Sequence, residues 1–179
     1  ISPTDIDNGT TDNCFIISDT VLPSAFTCAN IGANTVTRTT IDQSGNQNTC
    51  TVIVNVIDNM KPVAICQSIT VVLDATGSAV VSPTAIDNGS IDNCGIVSLA
   101  LDISTFSCAS LGANPVTLTV TDPTGNTDQC PATITVLDIL PPTMNCKNIT
   151  IPLDAFGNAS ISPADIDNGT TDNCFILSD

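Results

Sequence analysis

The residues with the clearest chemical potential are aspartates, which recur in polar loops along the chain. All 18 acidic residues of the 179-residue sequence are aspartate. In the central stretch, the loop "AIDNGSIDNC" and the turn "DPTGN" supply carboxylates and amides from separate parts of the chain. Ca²⁺ takes six to eight oxygen ligands of this kind. The sequence therefore predicts a Ca²⁺ site formed by Asp58, Asp87, Asn88, Asp92, Asp122 and Asn126.

The same pattern of acidic loops recurs on both sides of the central stretch. The matching residues are Asp7, Asp12, Asp42 and Asn46 upstream, and Asp138, Asp167 and Asp172 downstream. A cation would relieve the repulsion among these aspartates and stiffen the joint between neighbouring units. The alternative is that the side chains only cap their own turns, since "DNG" and "TGN" are common turn sequences. Asp74 and Asp154, in "LDAxG" turns at the opposite pole, are interpreted as structural.

Nine cysteines define a period of 80 residues. Cys14, Cys94 and Cys174 are 80 apart, and the pairs 28/108, 50/130 and 66/146 have the same spacing. No two cysteines are closer than 14 residues and the chain has no histidine, which argues against zinc or iron–sulfur sites. A small unit with four cysteines is typical of disulfide-stapled extracellular proteins.

The period divides the chain into three parts. We predict the C-terminal part of one repeat at 1–58, a complete repeat at 59–138, and the N-terminal part of the next at 139–179. Residues 1–19 match residues 161–179 at 17 positions but residues 81–99 at only 12, which suggests two alternating repeat types. The sequence has no initial methionine or signal peptide, so we expect a segment of a longer protein.

The elements that would position these residues are short β-strands. Thr, Val and Ile are abundant and glutamate is absent, which favours strands over helices. Within the complete repeat we predict a long polar loop at 83–93 and a hairpin turn at 122–126. The predicted strands are 68–73, 79–82, 95–101, 104–108, 115–121 and 131–137. This spacing indicates an all-β chain of tandem, rod-like immunoglobulin (Ig)-like sandwiches.

This topology leads to a prediction for the disulfides. The first and last strands of an Ig-like sandwich run side by side in the same direction, which places Cys66 beside Cys130. By remainder, Cys94 would pair with Cys108 within the repeat, and Cys14 with Cys28 in the copy upstream. Cys50, Cys146 and Cys174 would then have partners outside this segment.

The cysteine and turn motifs together resemble a known family. "DNC", a later "FxC", "VTLTVTDPTGNTDQCPATITVLD" and a following "PP…C" are similar to hyalin-type (HYR) repeats. They are most similar to the four-cysteine HYR-like modules of large Bacteroidota surface proteins. This resemblance implies an Ig-like fold, location outside the cell or at the bacterial cell surface, and a role in adhesion or in an extracellular fibre.

The remaining composition excludes several functions. A formal charge of −15 repels nucleic acid and anionic membranes, and no apolar run is long enough to insert into a membrane. Without histidine or glutamate, the many hydroxyl groups have no base to activate them, so we expect no enzyme activity. We expect a fibre or adhesin stalk, whose partners are neighbouring repeats and other copies in a filament. The alternatives are a module that binds a glycan or a surface, and a spacer in a secreted hydrolase.

Overall fold

The computed structural model describes residues 1–176, and its regular structure is mostly β-strand, which confirms the predicted all-β class. Helix is limited to α1 (Pro83–Ile86), α2 (Pro163–Ile166) and single 3₁₀ turns in the described residues. The strands are β1 (Ile16–Leu22), β2 (Gly32–Asp42), β3 (Gln47–Val56), β4 (Ile69–Val72), β5 (Ser78–Val80), β6 (Ser98–Leu101), β7 (Thr105–Ser107), β8 (Gly112–Thr121) and β9 (Thr127–Leu137).

The central repeat contains a four-stranded sheet and a two-stranded sheet. The larger sheet has the order β4-β9-β8-β6, and β5 pairs with β7 in the smaller one. The first strand, β4, runs parallel to the last, β9, as the sequence predicts, and Ile69 lies opposite Ile134. All other strand pairs in this repeat are antiparallel.

Two strands extend further than predicted because their prolines are tolerated. β8 and β9 pair over their whole lengths, with Pro115 opposite Thr133 and Pro131 opposite Thr117. The second neighbour of β8 begins only at Leu118, and that of β9 only at Ile134. Each proline therefore lies where its strand has a neighbour on one side only. On the open side, the missing N–H of proline removes no backbone hydrogen bond between strands.

The core of the central repeat forms from alternate residues of the longest strands. Period-two alternation turns one side of each strand inward, and the short helix α1 adds Ile86, which is fully buried. The buried apolar residues are Leu73, Val81, Ile86, Phe106, Val116, Leu118, Val120, Ala132, Ile134 and Val136. Most are aliphatic and only one is aromatic, so this is a small core for an 80-residue unit.

The upstream repeat repeats the β6-β8-β9 arrangement as the sheet β1-β2-β3, but its interior is different. Arg38 occupies the position of Leu118, 80 residues later, and is also buried. Its guanidinium donates to Asp19 at 2.6 and 2.9 Å, to Thr10 at 2.8 Å, and to Asp7. In this copy, a buried guanidinium paired with two partly exposed carboxylates thus replaces apolar packing.

The two ends of the central repeat are distinct. We define the entry pole as the end that carries Asp58, Asp92 and the β8–β9 turn, and the exit pole as the end that carries the β4–β5 turn and Cys108. Strands β4, β6 and β9 run from the entry pole to the exit pole, as the pairing directions require. Strand β7 runs the same way, because it is antiparallel to β5, which leaves the exit-pole turn.

The structure contains three disulfides, and two of them join neighbouring repeats. Cys66 pairs with Cys130, as predicted, with a Cα–Cα distance of 5.9 Å. Cys28 pairs with Cys94, and Cys108 with Cys174, each with a Cα–Cα distance of 5.3 Å.

The predicted pairs Cys94–Cys108 and Cys14–Cys28 are therefore wrong. The prediction assumes that all four cysteines pair within their own repeat, but β6 and β7 carry the chain from one pole to the other between Cys94 and Cys108. These two cysteines cannot meet, because a disulfide requires Cα atoms less than about 7 Å apart. The three free cysteines are Cys14, Cys50 and Cys146, all exposed, so Cys14 replaces Cys174 in the predicted set.

Digestion with a protease that cleaves before aspartate will test this pairing, because it places each cysteine in a different peptide. Without reduction, mass spectrometry should find peptide 19–41 joined to 92–101, and 102–121 joined to 172–178. Peptide 58–73 should be joined to 128–137. A link between peptides 92–101 and 102–121 would contradict the inter-repeat pairing.

Candidate functional site

Three carboxylates meet at the entry pole of the central repeat. Asp58 follows β3 in the linker, Asp92 lies in the loop after α1, and Asp122 opens the β8–β9 turn. One oxygen of each carboxylate lies within 4.8 Å of the others. The three aspartates come from separate parts of the chain, as the predicted Ca²⁺ site requires.

Local turns fix the direction of each carboxylate. Asp58 Oδ1 accepts a hydrogen bond from the Met60 N–H at 3.0 Å, and Asp92 Oδ2 accepts one from the Cys94 N–H at 2.7 Å. Asp122 Oδ1 accepts from the backbone N–H groups of Thr124 and Asn126, each at 2.8 Å. One oxygen of each aspartate is thus held by its own loop.

The remaining oxygens of two aspartates have no partner. Asp58 Oδ2 and Asp92 Oδ1 are shielded from solvent and accept no hydrogen bond, and Asp122 is only 1% exposed. In the described part of the chain, the ion pairs all belong to Arg38, so no basic side chain neutralises this cluster. Buried carboxylate oxygens without donors are energetically unfavourable, and a bound cation would remove that cost.

The Asp122 side chain is ionised at neutral pH. Burial alone would raise its pKa, but hydrogen bonds from Asn126 and Thr124 outweigh burial and hold the pKa below its usual value. The site therefore offers a negative charge rather than a carboxylic acid.

Asn126 braces the linker against the β8–β9 turn. Its Nδ2 group lies 2.7 Å from Asp122 Oδ2, 3.2 Å from the Asp58 carbonyl and 2.9 Å from the Met60 carbonyl. The predicted ligand Asn126 thus contacts the cluster through its amide nitrogen, which is a donor and not a metal ligand.

The structure separates Asp87 and Asn88 from the carboxylate cluster. Asp87 Oδ1 accepts from the Ser90 N–H at 3.1 Å and from its hydroxyl, which closes a local turn. The Asn88 N–H donates to the Ile65 carbonyl at 2.8 Å. At these two positions, the turn interpretation of the sequence fits the geometry.

The copies in the flanking repeats divide in the same way. Asp42 and Asn46 form the same hydrogen-bonded turn as Asp122 and Asn126. Asp12 lines the same pocket as Asp42 and Asn46. Asp7 is paired with Arg38, and Asp167 closes a turn with Thr170.

At the downstream junction, the counterparts of Asp58 and Asp92 are Asp138 and Asp172. The Asp138 Oδ1 accepts from Leu140 N–H, and the Asp172 Oδ1 accepts from Cys174 N–H.

Sequence reasoning missed the contacts that one repeat makes with the next. Asn93 Nδ2 donates to Asp58 Oδ1 at 3.3 Å, and its copy Asn173 donates to Asp138 Oδ1 at 3.2 Å. Asn173 also donates to the Asp74 carbonyl in the exit-pole turn at 3.1 Å. The recurrence of "DNC" before each junction cysteine is the signal that could have found them.

Gly77 lies where the exit pole presses against the next repeat. Its φ angle is +72°, and a Cβ there would stand 2.5 Å from the Asn173 carbonyl oxygen and 2.7 Å from Cys108 Sγ. Gly89 has a similar φ of +87° but no atom within 4 Å of a Cβ. A comparison of the two glycines therefore distinguishes the effect of backbone conformation, which both share, from the effect of close packing, which only Gly77 shows.

Replacing each glycine with alanine should expose this difference. Gly89→Ala should cost about 1–2 kcal/mol of unfolding free energy from the left-handed backbone alone. Gly77→Ala should cost about 1–3 kcal/mol more, because the methyl group overpacks the junction. Urea unfolding of the oxidised chain, followed by circular dichroism, measures both. Equal losses would show that the junction is not closely packed at Gly77.

No family model matches the sequence. The chain is 36% identical over 140 residues to hyalin from Lytechinus variegatus. The match covers 73% of this chain and 26% of hyalin, so the chain spans about a quarter of that protein's length. The match and the three disulfides support a hyalin-like domain.

The chemistry of this hyalin-like chain also indicates its compartment. Three disulfides in 179 residues are typical of proteins that fold in an oxidising environment, which points to an extracellular or secreted protein. No helix among residues 1–176 has both the length and the apolar character needed to cross a membrane.

Proposed function

We propose that this chain is part of an extracellular fibre or surface adhesin stalk, built from hyalin-like repeats that are locked end to end. The observation that carries this proposal is the pair of disulfides, Cys28–Cys94 and Cys108–Cys174, each of which joins one repeat to the next. A covalent bond beside the peptide linker gives each junction two attachment points. Two attachments restrict bending and twisting between repeats far more than one flexible linker does.

Noncovalent contacts at the same junctions support a rigid array. At the entry pole, Asn126 holds the linker carbonyls of Asp58 and Met60. At the exit pole, the next repeat contacts the β4–β5 turn through Asn173 and fills the space beside Gly77. Prolines in the "MKP" and "LPP" linkers further limit backbone freedom.

We propose that Ca²⁺ binds at the entry pole and stiffens the junction there. Asp58, Asp92 and Asp122 would supply the carboxylate ligands, and the unpartnered oxygens of Asp58 and Asp92 are the reason for choosing them. Because Asp58 lies in the linker and the other two lie in the repeat, a bound ion would tie the linker to the sandwich.

The Asp92→Asn variant tests the calcium proposal because its effect on Tm should have opposite signs in EDTA and in calcium. The amide oxygen can still accept from the Cys94 N–H, but the charge of the cluster falls. In EDTA, this variant should melt at a higher temperature than the parent chain because repulsion is relieved. Calcium at 100 times its Kd should stabilise the parent by about 2.7 kcal/mol, which corresponds to a Tm increase of about 5–10 °C for a chain of this size. The variant should lose most of that increase.

Asp87→Asn is the matched control, because Asp87 belongs to a loop of the same repeat but closes a turn with Ser90. Its calcium-dependent increase in Tm should equal that of the parent chain. Scanning calorimetry in calcium and in EDTA gives all the values. A parent Tm that calcium leaves unchanged would refute the site, and an equal loss in both variants would refute the assignment of its ligands.

We propose no catalytic activity for this segment. The sequence lacks histidine and glutamate, and its aspartates recur at the same positions in successive copies, which suits architecture better than a single reaction centre. Its partners would be the neighbouring repeats and other copies in a filament. We place it at a bacterial cell surface, by the resemblance of the four-cysteine pattern to Bacteroidota surface proteins.

Microscopy of the native protein tests the fibre proposal. Antibodies raised against this chain would isolate the intact protein for negative-stain imaging and label it on cells of its source. We expect long, unbranched filaments of uniform width at the cell surface. Isolated globular particles, or label confined to the cell interior, would refute the proposal.

A further inference from the structure

The order of the inter-repeat disulfides defines a short covalent path through the chain. Cys28 is joined to Cys94, the backbone continues to Cys108, and Cys108 is joined to Cys174. Of all the residues between Cys28 and Cys174, only the 15 at positions 94–108 lie on this path. Residues 29–93 and 109–173 form side loops that the path bypasses.

We infer that pulling force travels along this path, so that unfolding can lengthen the array only through the few residues on the path. The inference adds a mechanical property to the proposed fibre and rests on that proposal for its biological use. Force applied upstream of Cys28 and downstream of Cys174 would reach Cys94 and Cys108 through sulfur–sulfur bonds. The longest strands of the central repeat, β8 and β9, would carry no tension, because both lie in a bypassed loop.

The segment on the path is already aligned with the direction of pull. It contains β6 and β7, which both run from the entry pole to the exit pole, so the chain does not reverse between Cys94 and Cys108. β6 is an edge strand of the larger sheet, and β7 is half of the smaller one. Tension can therefore act on this segment while the central β4-β9-β8 pairs remain intact.

The third disulfide lies off the path. Cys66 is in one bypassed loop and Cys130 is in the other, so their bond joins the two loops and transmits no force while the inter-repeat bridges are closed. The chain thus contains its own control. Removing Cys66–Cys130 should leave the maximum length unchanged, whereas removing Cys28–Cys94 should lengthen it.

The maximum lengths differ enough to measure. With about 3.5 Å per residue in a fully extended chain, the oxidised chain can reach about 170 Å from residue 1 to residue 179. Complete reduction raises that limit to about 620 Å by the same measure. The same 80-residue spacing places Cys14 and Cys28 at the two ends of the upstream counterpart of this path, residues 15–27.

Single-molecule pulling on the whole 179-residue chain, held by peptide tags at its two ends, tests the inference. Cys14, Cys50 and Cys146 are exposed and unpaired, and would be replaced by serine in every sample to prevent thiol exchange. The oxidised parent should resist extension at about 170 Å, and the same molecules in reductant should extend to about 620 Å.

Two double variants assign the path. Cys66→Ser with Cys130→Ser should stop at the parent's limit of about 170 Å, whereas Cys28→Ser with Cys94→Ser should reach about 330 Å. These limits depend on covalent connections, so a variant that folds poorly is still informative when peptide mapping verifies its remaining bridges. An oxidised parent that extends well past 170 Å, or a longer limit after loss of Cys66–Cys130, would overturn the inference.

The pulling experiment and the microscopy test different proposals. Filaments in the microscope together with a chain that extends well past about 170 Å would support the fibre and refute the covalent path of force. A short limit in a protein that forms no filaments would keep the covalent path and refute the fibre.

Discussion

The organisation of this chain depends on the separation of two cysteines within each repeat. Cys94 lies at the entry pole and Cys108 at the exit pole, because β6 and β7 carry the chain in one direction between them. Neither can reach the other, so each pairs with a cysteine of an adjacent repeat. Disulfides within one repeat would only stabilise that small domain, whereas these two disulfides connect neighbouring domains. The covalent junctions and the short covalent path both follow from this arrangement.

The Cys28–Cys94 disulfide and the three carboxylates occupy the same junction and have opposite effects on how closely the repeats associate. The Cys28–Cys94 bond brings the upstream repeat against the "DNC" loop, whose Asp92 lies with Asp58 and Asp122. Three negative charges in a shielded space favour separation of linker and sandwich, whereas the disulfide keeps the repeats together. A bound cation would turn the same charges into an attractive contact. With the proposed cation bound, the junction would have one covalent connection and one that responds to its ionic surroundings.

The chemistry of the interior differs between the two copies of the repeat. Leu118 and Leu99 in the central copy correspond to Arg38 and Asp19 upstream, and the Arg38 guanidinium donates two hydrogen bonds to the Asp19 carboxylate. The backbone pairing is nearly the same in both copies, since β1-β2-β3 repeats the register of β6-β8-β9. An ion pair with matched hydrogen bonds can fill the space of two leucines, although it rarely stabilises as much. The alternation seen in the sequence thus includes a change of core chemistry.

The sequence alone determined the period, the approximate strand positions and the Cys66–Cys130 pair. Turn residues and alternating apolar positions are local signals, and a parallel first and last strand follows from the sandwich topology. It also placed Asp58, Asp92 and Asp122 among the candidate ligands, because each precedes or opens a recognisable turn. It could not separate them from Asp87 and Asn88, whose side chain and backbone are used by local hydrogen bonds. Only the tertiary structure decided which cysteines cross the junction. Sequence spacing says how far apart two residues are along the chain, but the direction in which β6 and β7 run decides at which end of the repeat each sulfur lies.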